Sequence, residues 1–110
     1  MKLPNGEHAV VGLEKLTGYC LSLEHPRGRH KARVFVAALG LTMEDAPELR
    51  QALLTAASIY DVVLAERDEY GQRYMLDFVM VGPTGHATVR STWMVRTGED
   101  FPRFVTCYVV

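Results

Sequence analysis

A basic segment in the first half of the chain gathers the side chains best suited to bind an anion. His25-Pro26-Arg27-Gly28-Arg29-His30-Lys31-Ala32-Arg33 carries four positive charges and two histidines, with no acidic residue among them. Because the whole chain has a net charge of −1, this segment is a local positive patch on an acidic body, which suits one anionic group better than a long polyanion. A helix beginning near Arg29 would add its free N–H groups. The segment predicts a phosphate site, and a solvated turn is the alternative.

Three side chains of this segment are candidates for chemistry. Histidine exchanges protons near neutral pH, so His25 and His30 are candidates for general acid–base work, and a structural or surface role is the alternative for each. Their spacing does not place them on one helix face and no third ligand is near, so they do not predict a metal site. Lys31 shares a helix face with Phe35 and Ala38. It either holds a phosphate as a point charge or extends to solvent from the rim of an apolar stripe.

A strand predicted over 86–96 adds a second set of polar side chains. Alternation along the strand places Arg90 and Thr92 on one face and Trp93 on the other, where it fills the core. A guanidinium beside a hydroxyl can bind phosphate oxygens. Asp77 on the preceding strand is the competing partner, because a cross-strand ion pair would neutralise Arg90.

The last predicted strand, 103–110, contributes a second hydroxyl and a second guanidinium. Parity places Arg103 and Thr106 on opposite faces, so both reach one site only if a bulge lies between them. The sequence contains no Gly-x-Ser-x-Gly motif, phosphate loop or dinucleotide fingerprint. Any chemistry therefore depends on histidine, lysine, arginine and threonine side chains.

Hydrophobic periodicity divides the chain into a helical first half and an extended second half. It predicts helices over about 13–22, 29–39 and 46–58, and strands over 61–67, 73–81, 86–96 and 103–110. Gly40 ends the second helix, and Asp45 caps the third, with Glu48 completing a capping box. The segment 82–85 forms a hairpin turn between the second and third strands.

This order of elements predicts an α+β fold. Two or three N-terminal helices pack on one face of a four-stranded antiparallel meander sheet, because short turns join antiparallel neighbours. The inward face of the second strand is predicted to comprise Tyr74, Leu76, Phe78 and Met80. The opposite face of the sheet is then solvated or binds a ligand.

Composition excludes several classes of protein. A length of 110 residues and a hydrophobic content of 48% predict one globular domain over residues 1–110 and exclude a disordered or fibrous chain. Cys20 and Cys107 lie in apolar segments, so we expect buried free thiols, and a disulfide between them is the alternative that their number permits. No zinc-type spacing is present, so we expect no structural metal. The first residues lack an apolar signal core, and the uncharged run Val34–Met43 is too short to span a bilayer, so we expect a cytoplasmic protein.

Nearly the whole chain, from about Leu13 to Val110, resembles a bacterial domain family of unknown function. The resemblance rests on LEKLTGYCLSLEHPRGRHKARVFVAALGL, which follows the family pattern KL-x-x-Y-x-L-x-x-x-H-P-x-G-x-x-K-A-x-x-F-x-x-x-L-G, and on the strand-rich DEYGQRYMLDFVMVGPTGHATVRSTWMVRTGEDFPRFVTCYVV. Members of this family resemble C-terminal toxin domains of large secreted bacterial proteins and the toxin halves of toxin–antitoxin modules. The order of elements is similar to that of the barnase–EndoU–colicin–RelE ribonuclease superfamily.

That similarity implies a metal-independent endoribonuclease that needs no cofactor, in which a ribose 2′-hydroxyl attacks its own phosphate. The histidines would exchange protons, the basic side chains would stabilise the phosphate charge, and the threonine hydroxyls would orient it. The implied catalytic residues are His25, His30, Lys31, Arg90, Thr92 and Thr106, and the implied phosphate-binding residues are Arg29 and Arg103. The implied partners are an RNA substrate and a cognate antitoxin or immunity protein.

Two other functions are compatible with the same residues. A non-enzymatic protein-interaction domain could retain this fold, and the near-zero net charge and the missing nucleophile motif favour it. A binder of a small phosphorylated molecule would use the same positive patch.

Overall fold

A computed structural model describes all residues, 1–110. A short 3-10 turn at Gly6–His8 precedes the first helix, and a second one at Met43–Asp45 precedes the third. The helices are α1 (Leu13–Lys15, continued by a π-turn at Leu16–Cys20), α2 (Arg29–Leu39) and α3 (Ala46–Ile59). The strands are β1 (Val63–Asp68), β2 (Gly71–Gly82), β3 (Gly85–Arg96) and β4 (Pro102–Val109). None of the helices has the length and apolar character needed to cross a bilayer.

The four strands form one antiparallel sheet in the order β1-β2-β3-β4. The predicted α+β class is therefore confirmed: the helices come first and a four-stranded meander follows. Gly82 pairs with Gly85, so a two-residue turn joins β2 to β3 at the predicted position. The pairing of β1 with β2 extends only from Val63 opposite Met75 to Asp68 opposite Gly71, which leaves the second half of β2 without a neighbour on that side.

The helices cover one face of the sheet and close the core. The predicted inward face of β2 is buried there, and Trp93 of β3 is fully buried, as its alternation predicts. Its indole packs edge to face on Phe104 of β4, with ring centroids 5.6 Å apart. The helices contribute the buried apolar side chains Leu16, Cys20, Phe35, Leu39, Leu49, Leu53 and Ala56.

A buried polar chain fixes Trp93 within this core. The indole Nε1–H donates to Ser91 Oγ at 2.9 Å, and Ser91 Oγ donates to the Leu76 carbonyl oxygen at 2.8 Å. Both Ser91 and Trp93 have no exposed surface. The indole N–H and the Ser91 hydroxyl therefore both have hydrogen-bond partners in the protein. An indole N–H that is buried in an apolar core needs such a partner.

A bulge interrupts β4 next to the same residues. Trp93 pairs with Phe104, whereas its neighbour Thr92 pairs with Thr106, so Val105 has no partner on β3. One inserted residue changes the phase of the strand. Arg103 and Thr106 consequently occupy register positions of the same face, which strict parity forbids.

The boundaries of α2 and α3 agree with the prediction to within one residue, whereas the first helical segment ends at Cys20, two residues early, and β2 begins at Gly71, two residues before its predicted start. Gly40 ends α2 with φ of 70°, as predicted. The capping box predicted for Asp45 with Glu48 is wrong, because the Asp45 carboxylate points backwards and accepts the Thr42 backbone N–H at 2.8 Å, closing a box over the preceding 3-10 turn. β1 begins at Val63, two residues later than predicted, because Asp61 bridges to the N-terminal segment.

Replacing Ser91 by alanine should lower the free energy of unfolding by about 1–3 kcal/mol, because the Trp93 N–H then stays buried without an acceptor. Urea unfolding measures the difference. Ser58→Ala is the matched control, since Ser58 is exposed on α3 and its replacement should cost less than about 0.5 kcal/mol. Equal effects of the two substitutions would contradict the role assigned to Ser91.

Candidate functional site

Lys31, in the first turn of α2, has the most unusual surroundings of any charged side chain in the molecule. Its ammonium lies 5.1 Å from the ring centroid of Tyr19 and 5.3 Å from that of Tyr108. It also donates to Thr106 Oγ1 at 3.5 Å, and it forms no salt bridge. Aromatic faces attract a cation without neutralising it. The ammonium is therefore held in place with its charge available to an anion.

The close approach of α2 to the π-turn makes this arrangement possible. A Cβ on Gly28 would overlap the Tyr19 carbonyl oxygen, so only glycine permits the two segments to touch here. The π-turn itself closes with the Leu21 N–H donating to the Leu16 carbonyl at 2.8 Å. Together these contacts bring the Tyr19 ring over the start of α2, where Lys31 emerges.

His25 also packs against the Tyr19 ring. Its Nδ1 accepts the backbone N–H groups of Arg27 and Gly28, each at 3.0 Å, so the proton of the neutral ring resides on Nε2. The imidazole packs edge to face on Tyr19 at a centroid distance of 4.7 Å. His25 thus closes the turn before α2 and packs on Tyr19, and no hydrogen bond joins it to Lys31.

Two shallow depressions flank the Lys31 side chain. One has a volume of about 250 Å³ and is lined by Lys15, Tyr19, Lys31, Val105 and Thr106. The other has a volume of about 280 Å³ and is lined by His30, Lys31, Val34, Tyr108 and Val109. The exposed His30 lines the depression on the Tyr108 side, whereas Thr106 lines the one on the Tyr19 side. We call His30, Lys31, Tyr19, Thr106 and Tyr108 the Lys31 site.

Arg90 and Thr92 lie behind β4, one strand away from Lys31. Thr92 pairs with Thr106 and Arg90 pairs with Tyr108 in the β3–β4 register. The Arg90 guanidinium binds Asp77 through two hydrogen bonds of 2.9 Å. That carboxylate raises the pKa of Arg90, and the Tyr108 hydroxyl acts in the same direction. The competing ion pair considered from the sequence is thus present, and Arg90 adjoins the Lys31 site only through Tyr108.

The two remaining predicted phosphate-binding residues do not join this cluster. Arg103 binds Glu99 through two hydrogen bonds of 2.9 Å, and its guanidinium lies 4.8 Å from the Phe101 ring centroid. The ion pair lowers the pKa of Glu99 and raises that of Arg103. Arg29 is exposed at the first position of α2 and forms no salt bridge.

Beneath the Lys31 site lie the two cysteines, both buried free thiols. Cys20 Sγ is 3.7 Å from Thr106 Oγ1. Hydrogen bonding from Cys107 lowers the pKa of the Cys20 thiol to about 6, and Thr106 and Lys31 act in the same direction against the effect of burial. Hydrogen bonding to Cys20 and burial raise the pKa of Cys107. No three histidine, cysteine or carboxylate side chains cluster as metal ligands would.

A family model described as "Domain of unknown function (DUF6883)" matches residues 2–110. The chain belongs to the DUF6883 family. The fold of this chain is also similar to that of a chain in the solved "Contact-dependent growth inhibition toxin - immunity protein complex from Klebsiella pneumoniae 342". The TM-score is 0.70 and the identity 20%, and the match covers 92% of this chain and 99% of that one. No curated protein matches the sequence. The predicted membership in a domain family of unknown function is confirmed.

Three residues of this part of the DUF6883 domain have no role in the predictions made from the sequence. Tyr108 follows Thr106 by two positions, so strand alternation alone could have placed it beside the threonine. Tyr19 gives no such signal, because its position depends on the tertiary contact at Gly28. Cys20 was recognised only as a buried thiol, and its polar neighbours come from a strand 86 residues away.

The Cys20 thiol of this DUF6883 domain should ionise near pH 6, about three units below an ordinary cysteine. Its folded-state pKa is lowered, so the thiolate forms as pH rises through 6 and the thiol returns below it. Ultraviolet absorbance of the thiolate across a pH titration measures this. Cys107→Ala should move the midpoint upward by removing the main hydrogen bond. A midpoint near 9, or a transition that persists in Cys20→Ser, would show the assignment to be incorrect.

Proposed function

We propose that this domain is a toxin-like, metal-independent endoribonuclease controlled by a cognate antitoxin or immunity protein. The observation that carries the proposal is the Lys31 ammonium, which two tyrosine rings hold without a neutralising carboxylate. A phosphodiester bound there would have the Thr106 hydroxyl on one side and the His30 imidazole on the other. An RNA substrate would place its action in the cytoplasm.

The reaction that fits these groups is an internal transfer of the phosphoryl group. The ribose 2′-hydroxyl oxygen bonds to the adjacent phosphorus, and the bond from phosphorus to the 5′ oxygen breaks. The 2′-hydroxyl gives up its proton and the departing 5′ oxygen receives one, leaving a 2′,3′-cyclic phosphate and a 5′-hydroxyl. Negative charge builds on the non-bridging oxygens, where a fixed ammonium lowers the barrier.

Attack and departure occur in line, so the two oxygens lie on opposite sides of the phosphorus. We assign removal of the 2′-hydroxyl proton to His30, which lines the depression on the Tyr108 side of Lys31, and solvent water protonates the departing 5′ oxygen on the opposite side. Thr106 orients the phosphate from the opposite side, and Thr92 supports it as its cross-strand neighbour. Arg90 orders Tyr108 as its cross-strand neighbour, and Arg29, outside the cluster, contributes positive charge at the start of α2. His25 positions Tyr19, because its Nδ1 is already committed to two backbone donors.

Control by a partner protein is supported by the fold. The similar chain comes from a complex of a toxin with its immunity protein. The Lys31 site is open to solvent on both sides of the ammonium, so a partner seated over it would exclude RNA directly.

Lys31→Met should reduce RNA cleavage by about 10²–10³-fold, since it keeps the apolar stem and removes the charge that stabilises the developing oxyanion. Gel analysis of RNA incubated with purified protein measures the loss. Lys2→Met is the matched control, because Lys2 is exposed and binds Asp61 far from the site. Intact RNA with the unmodified domain, or equal activity of Lys31→Met, would remove the nuclease proposal.

The two histidines should respond differently to substitution. His30→Ala should reduce cleavage by about 10²–10⁴-fold with little change in stability, as expected for an acid–base group. His25→Asn should retain most activity, because the amide oxygen can replace Nδ1 as acceptor for Arg27 and Gly28. Cleavage rates and thermal melts of both variants test the assignment. The reverse pattern would transfer the acid–base role to His25.

A non-enzymatic interaction domain is the second candidate, and a different surface favours it. The unpaired half of β2 and the adjacent face of α3 form a largely apolar groove of about 440 Å³ that includes Ala52, Tyr60, Phe78, Val79 and Val81. Arg90 and Arg103 are both neutralised by carboxylates. If this candidate is correct, a stoichiometric protein partner should bind the Lys31→Met variant as tightly as the unmodified domain, and RNA should remain intact with both.

A further inference from the structure

We infer that the two depressions beside Lys31 bind the two bases of a single-stranded dinucleotide step, whose phosphate lies on the Lys31 ammonium. This rests on the proposed RNA substrate and specifies which part of the substrate the site contacts. In the proposed chemistry Tyr19 and Tyr108 only hold the Lys31 ammonium, and the inference gives both rings a further role as stacking platforms, on the ring surface that the ammonium does not cover.

The site has a symmetry that a single phosphate does not need. Tyr19 lines one depression and Tyr108 the other, and the ammonium is almost equally distant from the two ring centroids, at 5.1 and 5.3 Å. The volumes, about 250 and 280 Å³, are also similar. A base, a phosphate and a second base follow one another in this order along a nucleic-acid strand.

Each depression combines the surfaces that a base presents. The Tyr19 side has an aromatic ring, the aliphatic Val105, and polar groups from Lys15 and Thr106. A base has a flat apolar face and a polar edge, so an aromatic ring with a polar rim matches both. The Tyr108 side repeats the pattern with Val34 and Val109 as the aliphatic part and His30 as the polar part.

The rings are held in position before any ligand binds. The His25 imidazole packs against Tyr19 with ring centroids 4.7 Å apart, and Arg90 is the cross-strand neighbour of Tyr108. Rings that are already ordered lose little conformational freedom when a base stacks on them. His25 and Arg90 thereby acquire positioning roles that do not require contact with the phosphate.

This mode of binding also explains how a chain with a net charge of −1 would bind RNA. Affinity would come from stacking and one phosphate contact, with little contribution from long-range charge, so its salt dependence should be shallow. Two bases on separate rings with a phosphate between them are splayed apart. A duplex keeps its bases stacked on one another, so an unpaired step is the matching substrate.

A dinucleotide with a 2′-O-methyl group, which cannot be cleaved, tests the inference by calorimetric titration. We expect it to bind the unmodified domain more tightly than inorganic phosphate or either nucleoside alone. Tyr19→Leu and Tyr108→Leu should each weaken binding by about tenfold or more, the usual effect of losing one base–aromatic stack. Tyr70→Leu is the matched control, because that ring is exposed at the turn between β1 and β2. Unchanged affinity in both site variants, or no binding by the unmodified domain, would overturn the inference.

Nuclear magnetic resonance of the unmodified domain gives a second readout that does not depend on the folding of a variant. Ring protons of Tyr19 and Tyr108 should shift upfield when the dinucleotide is added, while those of Tyr70 stay in place. Shifts at neither site ring would also overturn the inference. Tyrosine-dependent binding with an unmodified RNA left intact would support this inference and reject the nuclease function. Cleavage that is lost in His30→Ala but unchanged by both tyrosine substitutions would support the nuclease function and reject this inference.

Discussion

A lysine ammonium that is fixed in place but not neutralised is the interaction on which the candidate site depends. Two guanidinium groups of the sheet are neutralised by carboxylates: Arg90 by Asp77 and Arg103 by Glu99, each through two hydrogen bonds. Lys31 differs because aromatic faces and a hydroxyl surround it. Aromatic rings attract the charge through their quadrupole and leave it free to attract an anion. The contact at Gly28, which admits the start of α2 to the Tyr19 backbone, is the structural condition for this arrangement.

The ion pairs of Arg90 and Arg103 affect the site because they leave both guanidinium groups neutralised and unavailable to an anion. The sequence predicts both guanidinium groups as phosphate ligands. In the structure, Asp77 on β2 binds Arg90, and Glu99 in the turn between β3 and β4 binds Arg103. Positive charge is thereby concentrated at the beginning of α2. Arg90 still influences the site, because it lies across the ladder from Tyr108. Arg90 therefore orders the Tyr108 ring and does so without contacting a ligand.

Much of the architecture could be predicted from the sequence because it follows from local patterns. Helical spacing located α2 to the residue, and alternation along β2 and β3 identified the buried face with Trp93 at its centre. Contacts between distant segments could not be predicted in the same way. The backward-pointing Asp45 carboxylate, the π-turn and the meeting of Tyr19 with Lys31 each depend on packing that no local period encodes. The sequence identified Lys31 and Thr106, whereas the rings that give Lys31 its character came from the structure.

Because of the bulge at Val105, the number of residues in β4 determines which of its side chains enter the core. Phe104 and Cys107 both enter the core although three positions separate them, because one additional residue resets the alternation between them. A deletion of this single residue would return the strand to a regular two-residue repeat and would send either the thiol or the phenylalanine outwards. The C-terminal strand should therefore accept changes of side chain at Val105 far more readily than a change in residue count, so that insertions and deletions in relatives are expected in the neighbouring turns and not here.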